Sequence, residues 1–527
     1  MTILKLGKIN IQLTLAIIIS LAIACFLESP VFTDRDAIND DVRNQIYWMA
    51  QQNDPELFQN DLIASYFSQS STVSPILKAI YGLFPDSVDP KIISQFLPFV
   101  LVVIATFLLF KFAESIASAR YAFWLCFIFN IYIWMVSNIP GGLPRAFFYP
   151  LLFSFFYFYA RKHWLSLAII FVLQTQIYPV VFFICASTLI IELLFDYKCK
   201  NIKNTQIYGS IAAIVSGLAG LFYRFVLKHS ASFGPLTTVQ EALTMPEFFI
   251  KGRIKAFLIP YEFVNGKGSI NELFSENHDF FVSVLIKSIV VIPIGFLCIM
   301  IYKKIIKPKV GKLIIPRIFY SCIISALILF GISSCVLFYL YLPSRYLEYC
   351  LPLVSIFVIG SFIYQLENII PRFKPLFSVA IIFISISIIS PSWRNGLKSL
   401  DKNQKEIYTY LLTKPKNIMI AAPYSISSNV PAYAYRSVIV SHEAFIPFHK
   451  NYYSEMQTRR EDLQNVYKTN DIAIVKAYIK KYNIDYFIVK KRSKDKARFL
   501  SSVPQNCIDF QNEEYLLVSS LKLLRIR

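Results

Sequence analysis

The chain has 527 residues, of which 55% are hydrophobic and only 16% charged, against the roughly 25% charged of an ordinary soluble protein. Apolar runs of ~15–25 residues recur along most of its length, which excludes a single soluble core and indicates a polytopic α-helical membrane protein. The net charge of +20 does not signal nucleic acid: the basic residues sit in short loops between apolar runs or in the C-terminal tail, and membrane topology accounts for the first group.

In chain order, eleven membrane spans are predicted, at 10–27, 92–112, 121–138, 146–160, 164–177, 179–195, 207–227, 281–301, 318–342, 347–365 and 375–390. The first follows Lys5 and Lys8 as a signal peptide would. It is long and lacks an evident cleavage site, so it reads as a retained helix. The fifth and sixth spans, WLSLAIIFVLQTQIYPVVFFICASTLIIELLF, are alternatively one helix kinked near Pro179. Such a break needs protein or water to satisfy the backbone groups it frees. Placing the N-terminus inside puts Lys303, Lys304, Lys307, Lys309, Lys312 and Arg317 on an inside loop, as the charge bias requires. One kinked helix would move that loop outside, so the bias argues for two spans. Arg224, near the outer end of the seventh span, reads as a snorkelling side chain. The nine cysteines show no CxxC and no metal-ligand spacing, and most lie in apolar runs as small hydrophobes.

The expected organisation is a transmembrane domain, 1–391, with outer loops 28–91 and 228–280, followed by a soluble extracytoplasmic α/β domain, 392–527. In the tail, EIYTYLLTK reads as a helix and NIMIAAP and YRSVIVSHEA as strands. Residues 452–468 read as a polar helix, DIAIVKAYIKKYNIDYFIVKK as helix, turn and strand, and YLLVSS as the last strand. Loop 228–280 carries Phe248, Phe249, Phe257, Tyr261 and Phe263 with Lys251, Arg253 and Lys255, the composition of a helix lying on a membrane or of a plain surface helix. His442, His449 and Glu443 match no metal-ligand spacing.

The first outer loop holds ten acidic residues against four basic ones, and Asp34, Asp36, Asp40 and Asp41 crowd into eight positions just past the first span. A charge run is most often a solvated face. A carboxylate near the membrane surface, on a loop closed by spans at both ends, is also where a proton acceptor for a lipid-borne substrate would stand. Val42, Ile46 and Met49 recur at helical spacing, so Asp41 opens a short helix, and N-capping by Asp40 is the structural alternative.

The stretches DDVRNQIYWM, DPELFQNDLIASYF, GGLPRAFFYPLL, YLPSRY and IKKYNIDYFIVK resemble a bacterial branch of the GT-C superfamily, polytopic glycosyltransferases that use polyprenyl-phosphate sugars. The resemblance covers nearly the whole chain. It implies a cytoplasmic N-terminus, an acidic motif in the first extracytoplasmic loop and a soluble domain outside a bacterial-type inner membrane. It also implies inverting transfer of a sugar from a polyprenyl-phosphate donor to a glycan, lipid or protein acceptor. Carried onto this sequence, it makes Asp41 or Asp40 the catalytic base and Asp34 and Asp36 metal or acceptor contacts. A divalent ion (Mg or Mn) and metal-free catalysis both stay open. The departing phosphate calls for guanidinium donors. Arg345 in YLPSRYLEY and Arg145 in GGLPRAFFYP stand at outer membrane edges. The competing readings are a transporter, an O-antigen ligase or polymerase, and a GT-C-like protein without catalysis. A transporter would want ionisable residues at mid-span and repeated halves.

Overall fold

The computed structural model describes residues 10–527 apart from 70–73, 86, 136–138, 201–202, 228–232, 250–251, 253, 255, 257–296, 298–299, 302, 305–312, 370–371, 373, 388, 390–395, 425, 492–499, 501–502 and 527. The chain forms two compact units. One takes Met1–Ser29, Phe96–Leu227 and Thr238–Asn395, and the other Pro30–Gln95, Lys228–Thr237 and Gly396–Arg527.

The first unit is helical. Pro90–Ile116, Pro179–Lys198, Asn204–Val226, Arg317–Cys335 and Ser344–Ile369 are long and apolar enough to cross a membrane. Shorter apolar helices occupy Ile11–Leu27, Ala119–Trp134, Trp164–Ile177 and Lys374–Ser387, and Phe148–Ala160 fills the predicted fourth position. The chain is an integral membrane protein. Most of the predicted 281–301 span and most of the aromatic 228–280 loop lie outside the described residues.

The stretch around Pro179 is two helices, Trp164–Ile177 and Pro179–Lys198. Tyr178 between them is extended (φ −145°, ψ 90°). Phe171 meets Phe182 at 5.5 Å and Gln174 Nε2 meets Cys185 Sγ at 3.3 Å, contacts that a continuous helix would hold ~16 Å apart, so the chain turns back on itself. Pro179 has no N–H for the Thr175 carbonyl. Arg224 supplies the missing donor: its Nη1 reaches Thr175 O at 2.9 Å and Gln176 O at 3.1 Å. Arg224 is 4% exposed, so it does not snorkel as expected; the freed carbonyls inside the bundle hold it.

Asn204–Phe222 lays Gly209, Ala213 and Gly217, four residues apart, against its neighbours. A Cβ at Gly209 would drive into Trp164 and one at Gly217 into Phe182, so small residues set how closely these helices approach. Ion pairs tie other helices. Arg120 Nε lies 2.8 and 2.9 Å from the Glu367 carboxylate oxygens, and Arg317 binds Glu192 at 2.8 Å and Asp196 at 2.6 Å. Ser321 and Tyr159 hydroxyls also donate to Glu192. Arg120 and Arg317 are thus interhelical clamps, and Arg317, read from sequence as a topology signal, does both.

The second unit gathers chain that the sequence reading divided between outer loops and tail. Its five-stranded sheet runs, in spatial order, Ser437–Val438, Met419–Ala421, Tyr486–Lys490, Tyr515–Ser519 and Ile508–Gln511. The first three strands are parallel and the last two are added antiparallel. Alternating helices Lys402–Leu412, Lys450–Lys468 and Ile472–Tyr482 match the expected pattern, and Asn483 takes the left-handed conformation (φ 51°) that ends the last of them. Ile508–Gln511 was not predicted. It is a short edge strand with a register shift between Ile508 and Phe510, and so lacks a clean two-residue alternation.

The first loop packs on this sheet domain. Ile38–Asn39 pairs with Leu397–Lys398 as a two-stranded ribbon. Tyr66 stacks on Tyr452 at 3.7 Å and its hydroxyl meets His449 Nδ1 at 2.9 Å, so His449 has a structural partner. Residues 233–237 join the same cluster through the Leu236–His449 bridge and the Thr237 bond to Pro447 O.

Candidate functional site

The four aspartates have separate fates. Asp34 Oδ1 accepts from the Asp36 N–H at 3.0 Å and from Lys405 at 3.1 Å; Lys405 lies 3.6 Å from Asp36 Oδ2. Burial pushes the Asp34 carboxyl up, but the Asp36 N–H and the Lys405 ammonium outweigh it and leave it below its usual value. Tyr433 donates to Asp36 O at 3.0 Å, fixing the turn. This half of the cluster ties the loop to the Lys402–Leu412 helix.

Asp40 and Asp41 sit at a pinned corner. The Asp40 N–H donates to Gly396 O at 2.9 Å, where the ribbon begins. Gly396 has φ 73°, and a Cβ there would stand 2.5 Å from Asp40 Oδ1. The Asp41 N–H donates to Asp40 Oδ1 at 3.0 Å and to Asn39 Oδ1 at 3.2 Å. Beyond the corner, Arg43 donates to Asp40 O at 3.1 Å and to Asn429 Oδ1 at 2.6 Å, and Ser441 donates to Asn44 Oδ1 at 2.9 Å. Apolar Val42, Ile46, Tyr47, Trp48 and Met49 are buried beneath it.

Asp41 holds the N-cap position of helix Val42–Gln45, but its side chain makes no cap bond. The helix is a single turn, broken at Ile46 (φ −123°, ψ −29°) and continued as the tighter Tyr47–Gln52 turn. A helix this short offers Asp41 only a small macrodipole. Burial, then the charge of Asp41, pushes the Asp40 carboxyl above its usual value, against the pull of Arg43. Glu443 adds to the same upward push. Its backbone N–H reaches Ser428 Oγ at 3.3 Å, and Ser428 bonds Ser441, so a chain of hydroxyls joins it to Asn44. No sequence signal links Glu443 to an aspartate some 400 residues away.

In the helical unit, Arg145 and Arg345 both lie within electrostatic reach of the Tyr349 hydroxyl. Gly141 and Gly142 (φ 83° and 58°) make the turn that leads to Arg145. A Cβ at Gly142 would press to 2.8 Å on Leu97, so the GGLPR turn needs glycine for space as well as for φ. Arg345 is in the first turn of Ser344–Ile369 and bonds Glu348 at 2.7 Å and Tyr349 OH at 3.5 Å. Phe338 and Tyr341, with φ 70° and 66°, hold the preceding turn in a conformation rare for bulky residues. Tyr149 donates to Tyr349 O at 3.1 Å, and Phe148 and Tyr178 pack on the Tyr349 ring. Guanidinium and phenol donors gathered in this way suit an anion. Glu348 was not among the candidates, although its spacing of three from Arg345 on a helix was readable.

Among the described residues, no group of three or more His, Cys, Asp or Glu side chains is placed to hold a metal ion. The donor set does not fit the Mg or Mn ion left open at Asp34 and Asp36, whose carboxylates are joined to Lys405 instead.

No protein-family model matches the chain, and no curated protein matches it. Solved structures similar to it include the oligosaccharyltransferase AglB of Archaeoglobus fulgidus, in complex with an inhibitory peptide and a dolichol-phosphate. That similarity has 10% identity and a TM-score of 0.47, over 91% of this chain and 69% of that one. ArnT of Cupriavidus metallidurans, bound to undecaprenyl phosphate, is similar at 9% identity and a TM-score of 0.40, over 96% of this chain and 97% of the other.

Proposed function

We propose that this chain is an inverting glycosyltransferase of a bacterial-type inner membrane. It moves a sugar from a polyprenyl-phosphate donor to a hydroxyl of an extracytoplasmic glycan, lipid or protein. The observation that carries the reading is the division among the aspartates. Asp34 and Asp36 hold Lys405, whereas Asp40 and Asp41 stand on a corner fixed by the Gly396 ribbon, Arg43 and Asn44. A solvated charge run needs no such framework.

In this reading Asp41 takes the proton from the acceptor hydroxyl as that oxygen attacks the sugar C1. The C1–O bond to the phosphate breaks on the opposite face, and its electron pair leaves with the polyprenyl phosphate. Arg345 or Arg145 stabilises the charge that develops there. Burial and the charge of Asp41 raise the Asp40 carboxyl, which makes Asp40 a better proton acceptor than a free carboxylate.

The test is glycan profiling of a strain lacking the protein, complemented with wild type, Asp41→Asn or Asp40→Asn. Wild type should restore the missing glycan, and Asp41→Asn should not, with equal protein in the membrane. Restoration by Asp41→Asn at normal levels would reject the enzyme in favour of a scaffold.

A further inference from the structure

On the second unit Leu412, Ile474 and Leu521 are exposed one at a time, as on any soluble surface. The segment GLFP, 82–85, is different. All four residues are exposed, Leu83 to 82% and Phe84 to 46%. The tip is built rather than slack. It ends helix Pro75–Tyr81, which is capped by Ser74 Oγ on the Leu77 N–H at 3.0 Å and seated by buried Leu77 and Tyr81. Lys78 lies over the Trp48 ring at 5.6 Å. Gly82 N–H bonds Lys78 O at 3.0 Å, Leu83 N–H bonds Ile80 O at 3.3 Å, and Phe84 N–H bonds Tyr81 O at 3.4 Å. An ordered turn thus holds a leucine and a phenylalanine out of their own unit's core, at a standing hydration cost.

Chain connectivity indicates what meets them. Pro90, six residues beyond Phe84, opens the membrane-crossing helix Pro90–Ile116. Six residues reach at most ~20 Å. The exposed apolar stripe of that helix begins at Phe96 and continues through Val100, Ile104 and Phe107. Phe96 is ~9 Å along the axis from Pro90. Hydrocarbon therefore starts near Phe96, and the headgroup layer surrounds the helix start to which the tip is tethered. Phe32, 53% exposed, repeats the arrangement five residues past the end of Ile11–Leu27.

We propose that the Leu83–Phe84 tip dips into the headgroup–acyl boundary of the bilayer and anchors the second unit to the membrane surface. The inference is independent of the reaction assigned above.

The experiment adds one tryptophan, Leu83→Trp, to the full chain in vesicles of phosphatidylcholine brominated near the headgroup. Ile474→Trp, on the same unit, serves as the water-facing control. The added emission of Leu83→Trp should shift to the blue and be quenched by the brominated lipid, while Ile474→Trp should be quenched by aqueous iodide instead. Iodide quenching at position 83 would overturn the proposal. So would shielding from both quenchers, which would mean that protein, from this chain or a second copy, covers the tip.

Discussion

Asp61 offers a direct test of how burial costs are carried in the second unit. It is 1% exposed and caps helix Leu62–Phe67, with Oδ1 accepting from Ile63 N at 2.8 Å and Ala64 N at 3.0 Å. The Tyr47 and Ser437 side chains also stand within hydrogen-bonding reach of the carboxylate. Burial pushes the carboxyl up to about 6, against the lowering pull of the two cap N–H groups. The unfolded value is 3.8, so below that pH both states hold the proton and the group costs nothing. Between 3.8 and about 6 the unfolded state loses its proton first, so stability falls as pH rises. Above that window the accumulated loss is about 3 kcal/mol, from roughly two units at 1.36 kcal/mol each. Asn is as good a cap as Asp and carries no charge to desolvate. Asp61→Asn should therefore slow amide exchange in the 62–67 peptide of the full-length protein at pH 8 by about 100-fold, and change it little near pH 4. Wild-type protection should fall between pH 4 and pH 7 after correction for intrinsic rates, while the variant stays level. If Asp61→Asn exchanges as fast as wild type at pH 8, the buried carboxylate does not carry the cost assigned to it.

The other predictions concern single contacts. Gly396→Ala places a methyl against Asp40 in a left-handed turn, so glycan restoration should drop more than tenfold while thermal unfolding in detergent moves by only about 1–2 kcal/mol. Arg317→Met leaves Glu192 buried beside Asp196 without its cation and should cost about 3–5 kcal/mol; adding Glu192→Gln should recover part of that in a double-mutant cycle of melting temperatures. Gly217→Ala should separate Asn204–Phe222 from Phe182 at a cost of about 1–3 kcal/mol, and Phe182→Leu in the same chain should relieve it. Asp41→Asn and Leu83→Trp complete the set.

The helices were legible because each needed only one property, an unbroken apolar run, and their starts at Trp164 and Pro179 follow from local chemistry alone. The tail elements were legible for the same reason. Asn483 ends a helix because its short polar side chain tolerates φ 51°, whichever partner lies nearby. What escaped depends on contacts distant in sequence. Nothing in the loop announces that Ile38 will pair with Lys398, that Arg43 will reach Asn429, or that Lys405 will take Asp34 and Asp36. Arg224 was misread because position near a span end suggests snorkelling, while the two carbonyls that hold it arise from a break almost fifty residues earlier. Of the candidate site, the residue types were readable; which aspartates were already engaged was not.

The second unit is assembled from Pro30–Gln95, Lys228–Thr237 and Gly396–Arg527, and this has a consequence for biosynthesis. The ribbon partner of Ile38–Asn39 is made roughly 300 residues after the loop emerges, a delay of about 15–60 s at ordinary translation speeds. Through that interval Trp48, Tyr66 and their neighbours lack the surface that later covers them. A ribosome stalled anywhere before residue 396 thus leaves a nascent chain with a greasy, half-made lobe, the kind of species that holding chaperones and quality-control proteases exist to meet.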